Sequence, residues 1–136
     1  MKRKIITFIY ILYILVLLRM TVFRSHLSCE RLFTGRINKV LFREYLPMLR
    51  NGAWMRSFYL FFGNIACFVP FGIYQRWQKN RKILTITLMG FLFSLFIETM
   101  QYVLGTGVSE LDDLILNTFG AVLGALFIKL FERKKR

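Results

Sequence analysis

Apolar residues collect in four long runs, separated by shorter stretches in which charged residues predominate. The runs cover residues 5–23, 57–75, 83–104 and 114–131. A helix rises about 1.5 Å per residue, so each run can cross the roughly 30 Å hydrocarbon core of a bilayer. The pattern predicts an all-α integral membrane protein, a four-helix transmembrane bundle made by one domain of 136 residues.

Polar and small residues interrupt the last two runs at helical spacing. On the third helix they lie four, four, three and four residues apart: Gly90, Ser94, Glu98, Gln101 and Gly105. On the fourth helix they lie four, three and four residues apart: Asp113, Asn117, Gly120 and Gly124. Residues at these spacings share a face of a helix. The two polar faces are expected to point at each other or at a shared third helix.

The second run carries an amide and a proline. Pro70 lacks the N–H that would bond the carbonyl of Ala66, so a kink or a reshaped turn is expected there, with Gly72 close behind. An amide such as that of Asn64 has an unfavourable free energy when it faces lipid. It is expected either to hydrogen-bond to a neighbouring helix or to contact a ligand, and this helix alone favours neither.

The one long connection, residues 24–56, is expected to hold an amphipathic interfacial segment between the first two helices. Its apolar residues recur at helical spacing: Ile37, Val40, Leu41, Tyr45 and Met48. We predict a short helix that lies on the bilayer surface and is bent or ended near Pro47. A spacer held by anionic lipid is favoured over a dedicated ligand-binding arm. His26, the only histidine, is interpreted as a polar cap without chemistry.

The distribution of charge predicts a topology and excludes one class of partner. The chain has 20 Lys and Arg against 7 Asp and Glu, a net charge of +13. Residues 75–82 hold four bases and no acid, and residues 133–136 are all basic, which predicts that this turn and both termini are cytoplasmic. Residues 24–56 would then lie outside despite seven bases, against the usual rule. Because most bases flank apolar runs, no nucleic-acid partner is expected.

The predicted topology puts polar residues of three helices at a similar depth in the outer half of the bundle. From the helix rise, Asn64 and Glu98 lie about 10 Å inside the outer ends of their helices, and Asn117 about 6 Å below Asp113. An ionised carboxylate in hydrocarbon costs roughly 2.5–3.5 kcal/mol, so Glu98 is expected to be solvated, protonated or paired. Arg19, toward the outer end of the first helix, is the candidate partner for such a pair.

The residue types favour neither catalysis nor a metal. Ser94 has no histidine to activate it, and Cys29 and Cys67 form no CxxC pair. The acids at positions 98, 112 and 113 offer oxygens for a hard cation, but without histidine they make a weak metal site. No catalytic residue, cofactor or metal ligand is therefore assigned, and an enzyme is the less expected class. Gly120 and Gly124 form a GxxxG motif that favours close helix packing.

Together these motifs resemble the VanZ-like family. The resemblance covers roughly residues 60–126 and rests on three groups: Asn64, Phe68, Pro70, Phe71 and Gly72; Ser94, Glu98 and Gln101; and Asp112, Asp113, Asn117, Gly120 and Gly124. It implies a small integral membrane protein of the bacterial envelope, with no established catalytic activity. The family's namesake is associated with lowered susceptibility to teicoplanin, a glycopeptide that carries a lipid tail.

We therefore predict that the outer half of the bundle presents an acidic, amide-rich recess that binds or protects an envelope component. The recess residues are Asn64, Glu98, Gln101, Asp112, Asp113 and Asn117, and the shaping and packing residues are Pro70, Gly72, Gly120 and Gly124. The expected partners are membrane lipid and either a lipoglycopeptide or a lipid-linked cell-wall precursor. An enzyme or small transporter of envelope lipids, with carboxylates that share a proton, is the alternative.

Overall fold

The structure, a computed structural model, describes residues 2–23 and 31–133. Four long helices carry most of the chain: α1 Lys2–Thr21, α3 Trp54–Trp77, α4 Ile83–Leu104 and α5 Leu111–Arg133. One short helix and two short strands lie between them: α2 Tyr45–Arg50, β1 Arg36–Asn38 and β2 Val108–Glu110. The positions of His26, Cys29 and the basic residues 134–136 lie outside the described residues.

Within the described chain, four helices are long and apolar enough to cross a membrane. The predicted class, an all-α membrane protein with four spanning helices, is therefore confirmed. The helix ends differ from the predicted spans by at most three residues. Helix α4 ends at Leu104, and the next residue, Gly105, has a φ of 60°, a left-handed conformation that favours glycine. The N–H of Thr106 then bonds back to the carbonyl of Gln101 at 3.1 Å.

Helix α3 packs most extensively against α5, and glycines on both helices allow the close approach. A Cβ at any of three glycines would overlap backbone of the facing helix. The carbonyl oxygens that it would meet are those of Ile65 for Gly120, Val69 for Gly124 and Ala121 for Gly72. Helix α4 completes a three-helix core, in which the rings of Phe71 and Phe93 stack with centroids 5.7 Å apart.

Helix α1 lies at the edge of this core, and Leu17 is its one buried residue. Its tyrosines dock on α3, where Tyr10 stacks on Tyr74 with centroids 3.7 Å apart. The hydroxyl of Tyr13 donates to the carbonyl of Cys67, less than one turn before Pro70. Helix α3 continues through this proline to Trp77. The carbonyl that lacks the N–H of Pro70 is that of Ala66, so the Tyr13 bond attaches α1 to α3 one residue away from it.

The long connection differs from the predicted amphipathic helix, which was wrong in its extent. Residues 36–38 form β1 instead, and β1 pairs in parallel with β2, with Ile37 opposite Ser109. Helix α2 begins only at Tyr45 and includes Pro47, whose missing N–H falls in the first turn, where no intrahelical partner exists. A strand, a turn and a short helix in succession happened to reproduce the apolar spacing of a single helix.

The bundle therefore has two distinct ends. The end that we call the terminal end holds Lys2, the short turn after Trp77 and Arg133, and there Arg76 forms an ion pair with Glu132. The opposite end, which we call the loop end, holds residues 31–53 and 105–110. The β1–β2 pairing ties these two segments to each other, and the N–H of Phe33 also bonds to the carbonyl of Val103 at 2.7 Å.

Candidate functional site

The polar face of α4 is the face that the protein buries. Ser94, Glu98 and Gln101 are all buried, whereas Leu92 and Phe96 on the other side of the helix are exposed. This arrangement is the reverse of a water-soluble helix, because here the exposed surface faces lipid. The polar residues of α4 therefore meet partners inside the bundle.

Glu98 holds the loop that leads into α5. Its side chain is only 4% exposed, and its Oε2 accepts a hydrogen bond from the backbone N–H of Glu110 at 2.8 Å. Arg19 donates instead to the carbonyl of Phe23 in its own segment. The candidate ion pair between Glu98 and Arg19 is therefore wrong, and Glu98 is bonded to backbone rather than to a cation.

The polar face of α5 divides between two neighbouring helices. The side-chain amide of Asn117 donates to Ser94 Oγ on α4 at 2.9 Å, between two buried residues. One turn earlier, the amide of Asn64 on α3 donates to Asp113 Oδ1. Residues from α3, α4 and α5 thus meet in the half of the bundle nearest the loop end, which is where the sequence predicted that they would gather.

Two of the predicted recess residues have other surroundings. Asp112, 3% exposed, accepts the backbone N–H of Phe42 on its Oδ2 at 2.9 Å and so anchors the turn that precedes α2. Gln101 donates weakly, at 3.4 Å, to the carbonyl of Thr21 at the end of α1. Both side chains attach neighbouring segments to the core.

Sequence reasoning missed the residues that the β1–β2 pairing brings to the site. The amide of Asn38 lies 3.4 Å from Glu110 Oε1, and the carboxyl of Glu44 contacts that of Glu110. Tyr45 is buried below them and packs edge-on against Phe61 with centroids 6.0 Å apart. Strands of three residues, about seventy residues apart, leave no local signal in a sequence.

The loop end gathers most of the acidic side chains of the chain. Five of the seven acids in the chain lie at this end: Glu44, Glu98, Glu110, Asp112 and Asp113. Within the described ranges the one ion pair joins Arg76 to Glu132, at the terminal end. Burial, together with the neighbouring Asp113 and Glu44, raises the pKa of Glu110 to about 7. Burial and the nearby acids likewise raise the pKa of Tyr45.

A small recess opens beside Glu98. Its volume is about 120 Å³, and its lining comes from both strands, α4 and the start of α5: Ile37, Asn38, Lys39, Leu95, Glu98, Ser109, Glu110, Leu111 and Leu114. Of the six predicted recess residues, Glu98 lines it and the other five are bonded inside the bundle. Since a water occupies about 30 Å³, the recess has room for roughly four waters and is smaller than a typical ligand pocket.

The described residues offer little for metal or nucleophilic chemistry. None of their His, Cys, Asp and Glu side chains form a group of three or more that is arranged to hold a metal ion. Ser94 Oγ accepts a hydrogen bond from the amide of Asn117, and an amide is not a base that can activate a hydroxyl. What the arrangement provides is a fixed array of hydrogen-bond acceptors that includes several carboxyl groups.

Comparison with protein families gives a match that covers most of the sequence. A protein-family model described as VanZ/LLP1 matches residues 9–132, nearly the whole chain. No curated protein and no solved structure matches the chain.

Proposed function

The chain belongs to the VanZ/LLP1 family, and on this premise we propose that it is a single membrane domain of the bacterial envelope whose loop end binds or shields an envelope component. The four spanning helices make it a multi-pass membrane protein. In our proposal the terminal end is cytoplasmic, because its short turn carries four bases and no acid. The loop end then faces the extracytoplasmic side.

One observation carries the proposal: Glu98, an acidic residue within a spanning helix, borders a recess that is also lined by both strands of the loop end. Ionisable residues are expensive inside a membrane and usually mark a functional site. Asn38, Ser109 and Glu110 add polar groups from segments far apart in sequence. A purely structural hydrogen bond between Glu98 and the backbone would not require a recess beside it.

The size and charge of the recess limit what it can accept. Room for roughly four waters suits one ammonium or hydroxyl-bearing group, not a whole antibiotic or lipid headgroup. The carboxyl groups of Glu98 and Glu110, against the single base Lys39, favour a hydrogen-bond donor or a cation. The rest of the ligand would lie on the surface, and a lipid tail would enter the bilayer beside α4. A lipoglycopeptide and a lipid-linked cell-wall precursor both have this general form, and by family resemblance we propose that the protein lowers teicoplanin susceptibility.

The experiment is expression in a susceptible bacterium and measurement of the inhibitory teicoplanin concentration. We expect wild-type protein to raise it several-fold and Glu98→Gln to abolish the rise, because Gln keeps the shape and an acceptor but removes the titratable carboxyl group. Glu132→Gln, a matched loss of a carboxylate at the terminal end, should keep the rise. Immunoblots of membranes establish equal amounts of each protein.

Two results would contradict the proposal. No rise with abundant wild-type protein would reject the resistance role, and a rise that Glu98→Gln leaves intact would reject the recess. Purified protein incubated with a labelled lipid-linked precursor distinguishes the alternative class. Turnover that is lost in Glu98→Gln would establish an enzyme instead of a binding protein.

A further inference from the structure

The surface of the loop end has the opposite charge to its interior. Six basic residues within residues 31–56 are all exposed: Arg31, Arg36, Lys39, Arg43, Arg50 and Arg56. The described part of the chain forms its one ion pair at the terminal end, so none of these six is neutralised by an acid. Glu44 is the only acid in the same segment. Of the other acids of the loop end, Glu98 and Asp112 are buried.

Large apolar side chains are exposed among these bases. Phe33 is 68% exposed and Trp54 is 55% exposed. The others of this kind are Leu32, Ile37, Val40, Leu41, Phe42, Leu46 and Met55. In water such a surface would be unfavourable. The segment lies where the spanning helices end, at the level at which apolar side chains reach acyl chains and bases reach headgroups. Tryptophan near a helix end is typical of the same level.

We propose that this basic and apolar surface, residues 31–56, binds the headgroups of anionic phospholipids in the surrounding bilayer. The charge is complementary, because the phosphate of a headgroup that has no compensating cation meets guanidinium groups that present several donors each. The apolar side chains fix the segment in the interface while the bases select the lipid. This inference is independent of the recess and of its ligand.

The two tryptophans of the chain provide a built-in comparison of the two ends. Trp54 lies at the loop end, and Trp77, 59% exposed, lies at the terminal end. In Trp77→Phe, only Trp54 fluoresces, so it reports the lipids next to residues 50–56. The protein is reconstituted in mixed vesicles in which either phosphatidylglycerol or phosphatidylcholine carries bromine, which quenches a tryptophan on contact.

We expect brominated phosphatidylglycerol to quench Trp54 at least about twofold more than brominated phosphatidylcholine at equal content. Arg43→Gln, Arg50→Gln and Arg56→Gln, combined in the same background, should remove the difference. Lys79→Gln with Lys82→Gln, two exposed bases at the terminal end, should leave it unchanged. Lys39 is left intact because it also lines the recess.

Equal quenching by the two lipids would overturn the proposal, and so would a preference that survives the triple substitution. If the triple variant does not fold, the salt dependence in Trp77→Phe alone decides. At about 1 M salt, where charges are screened beyond about 3 Å, the preference must shrink. A preference that is insensitive to salt would contradict headgroup recognition by the exposed bases.

Discussion

The two ends of the bundle handle their acidic residues in opposite ways. At the terminal end, Glu132 pairs with Arg76 near the surface, where solvent screens both charges. At the loop end, Glu98 and Asp112 are buried and bonded to backbone N–H groups. The buried acids of the loop end therefore act as hydrogen-bond acceptors that attach segments to the core. The acid of the terminal end is an ordinary surface partner of a base.

The largest loss of stability is expected from a substitution in the contact between α3 and α5, the helices that connect the two ends. Gly120→Val should destabilise the bundle by roughly 1–3 kcal/mol or more, because its Cβ would overlap the carbonyl of Ile65 on the facing helix. Gly63→Val is a matched control, since nothing lies within 4 Å of a Cβ built at Gly63. Thermal unfolding in detergent measures both. Equal losses at the two positions would contradict the packing described here.

Removal of one acid at each end should give stability losses that differ between the two ends. Glu98→Ala leaves the N–H of Glu110 without its acceptor, and it should destabilise by about 1–3 kcal/mol. Glu132→Ala removes a partly exposed ion pair and should cost less than about 1 kcal/mol. Unfolding midpoints give the order, and hydrogen exchange at the Glu110 amide should speed up only in Glu98→Ala. A larger loss in Glu132→Ala would reverse the comparison.

The smallest expected effect is a dependence of the protein's stability on pH. Glu110 has a pKa of about 7 against an ordinary 4.5, so the folded protein holds its proton more tightly than the unfolded chain does. Its contribution to stability is therefore lost progressively as pH rises from about 4.5 to about 7. Glu110→Gln should flatten this part of the profile of melting temperature against pH. Glu132→Gln should leave the profile intact, and an unchanged profile in Glu110→Gln would count against the assignment.

The sequence was sufficient for the helices and for the buried polar faces, because both depend on local periodicity. Helix α4 begins and ends as predicted, and Asn64, Asp113 and Asn117 bond to neighbouring helices as residues at one depth should. A helix that is apolar on one side and polar on the other has few alternatives inside a membrane.

The lining of the recess could not be predicted, because it depends on pairing between distant segments. Asn38 and Lys39 reach Glu98 only through the parallel β1–β2 contact, whose strands have three residues each. The spacing of apolar residues in the long connection indicated a helix, so the strand β1 was not predicted. The predicted Glu98–Arg19 pair was wrong for a related reason. The partner of Glu98 is the backbone N–H of Glu110, and a backbone donor cannot be predicted from the pattern of side chains.

The most direct test of the account is whether the recess beside Glu98 contacts water on the outer side of the membrane. In a background with Cys29→Ser and Cys67→Ser, one cysteine is placed in the recess by Ser109→Cys and another in the short turn by Lys79→Cys. Both are exposed to a small, cationic, membrane-impermeant thiol reagent. In intact cells we expect labelling of Ser109→Cys, with Lys79→Cys reacting only after permeabilisation. The opposite pattern, or a Ser109→Cys that reacts under neither condition, would contradict the account.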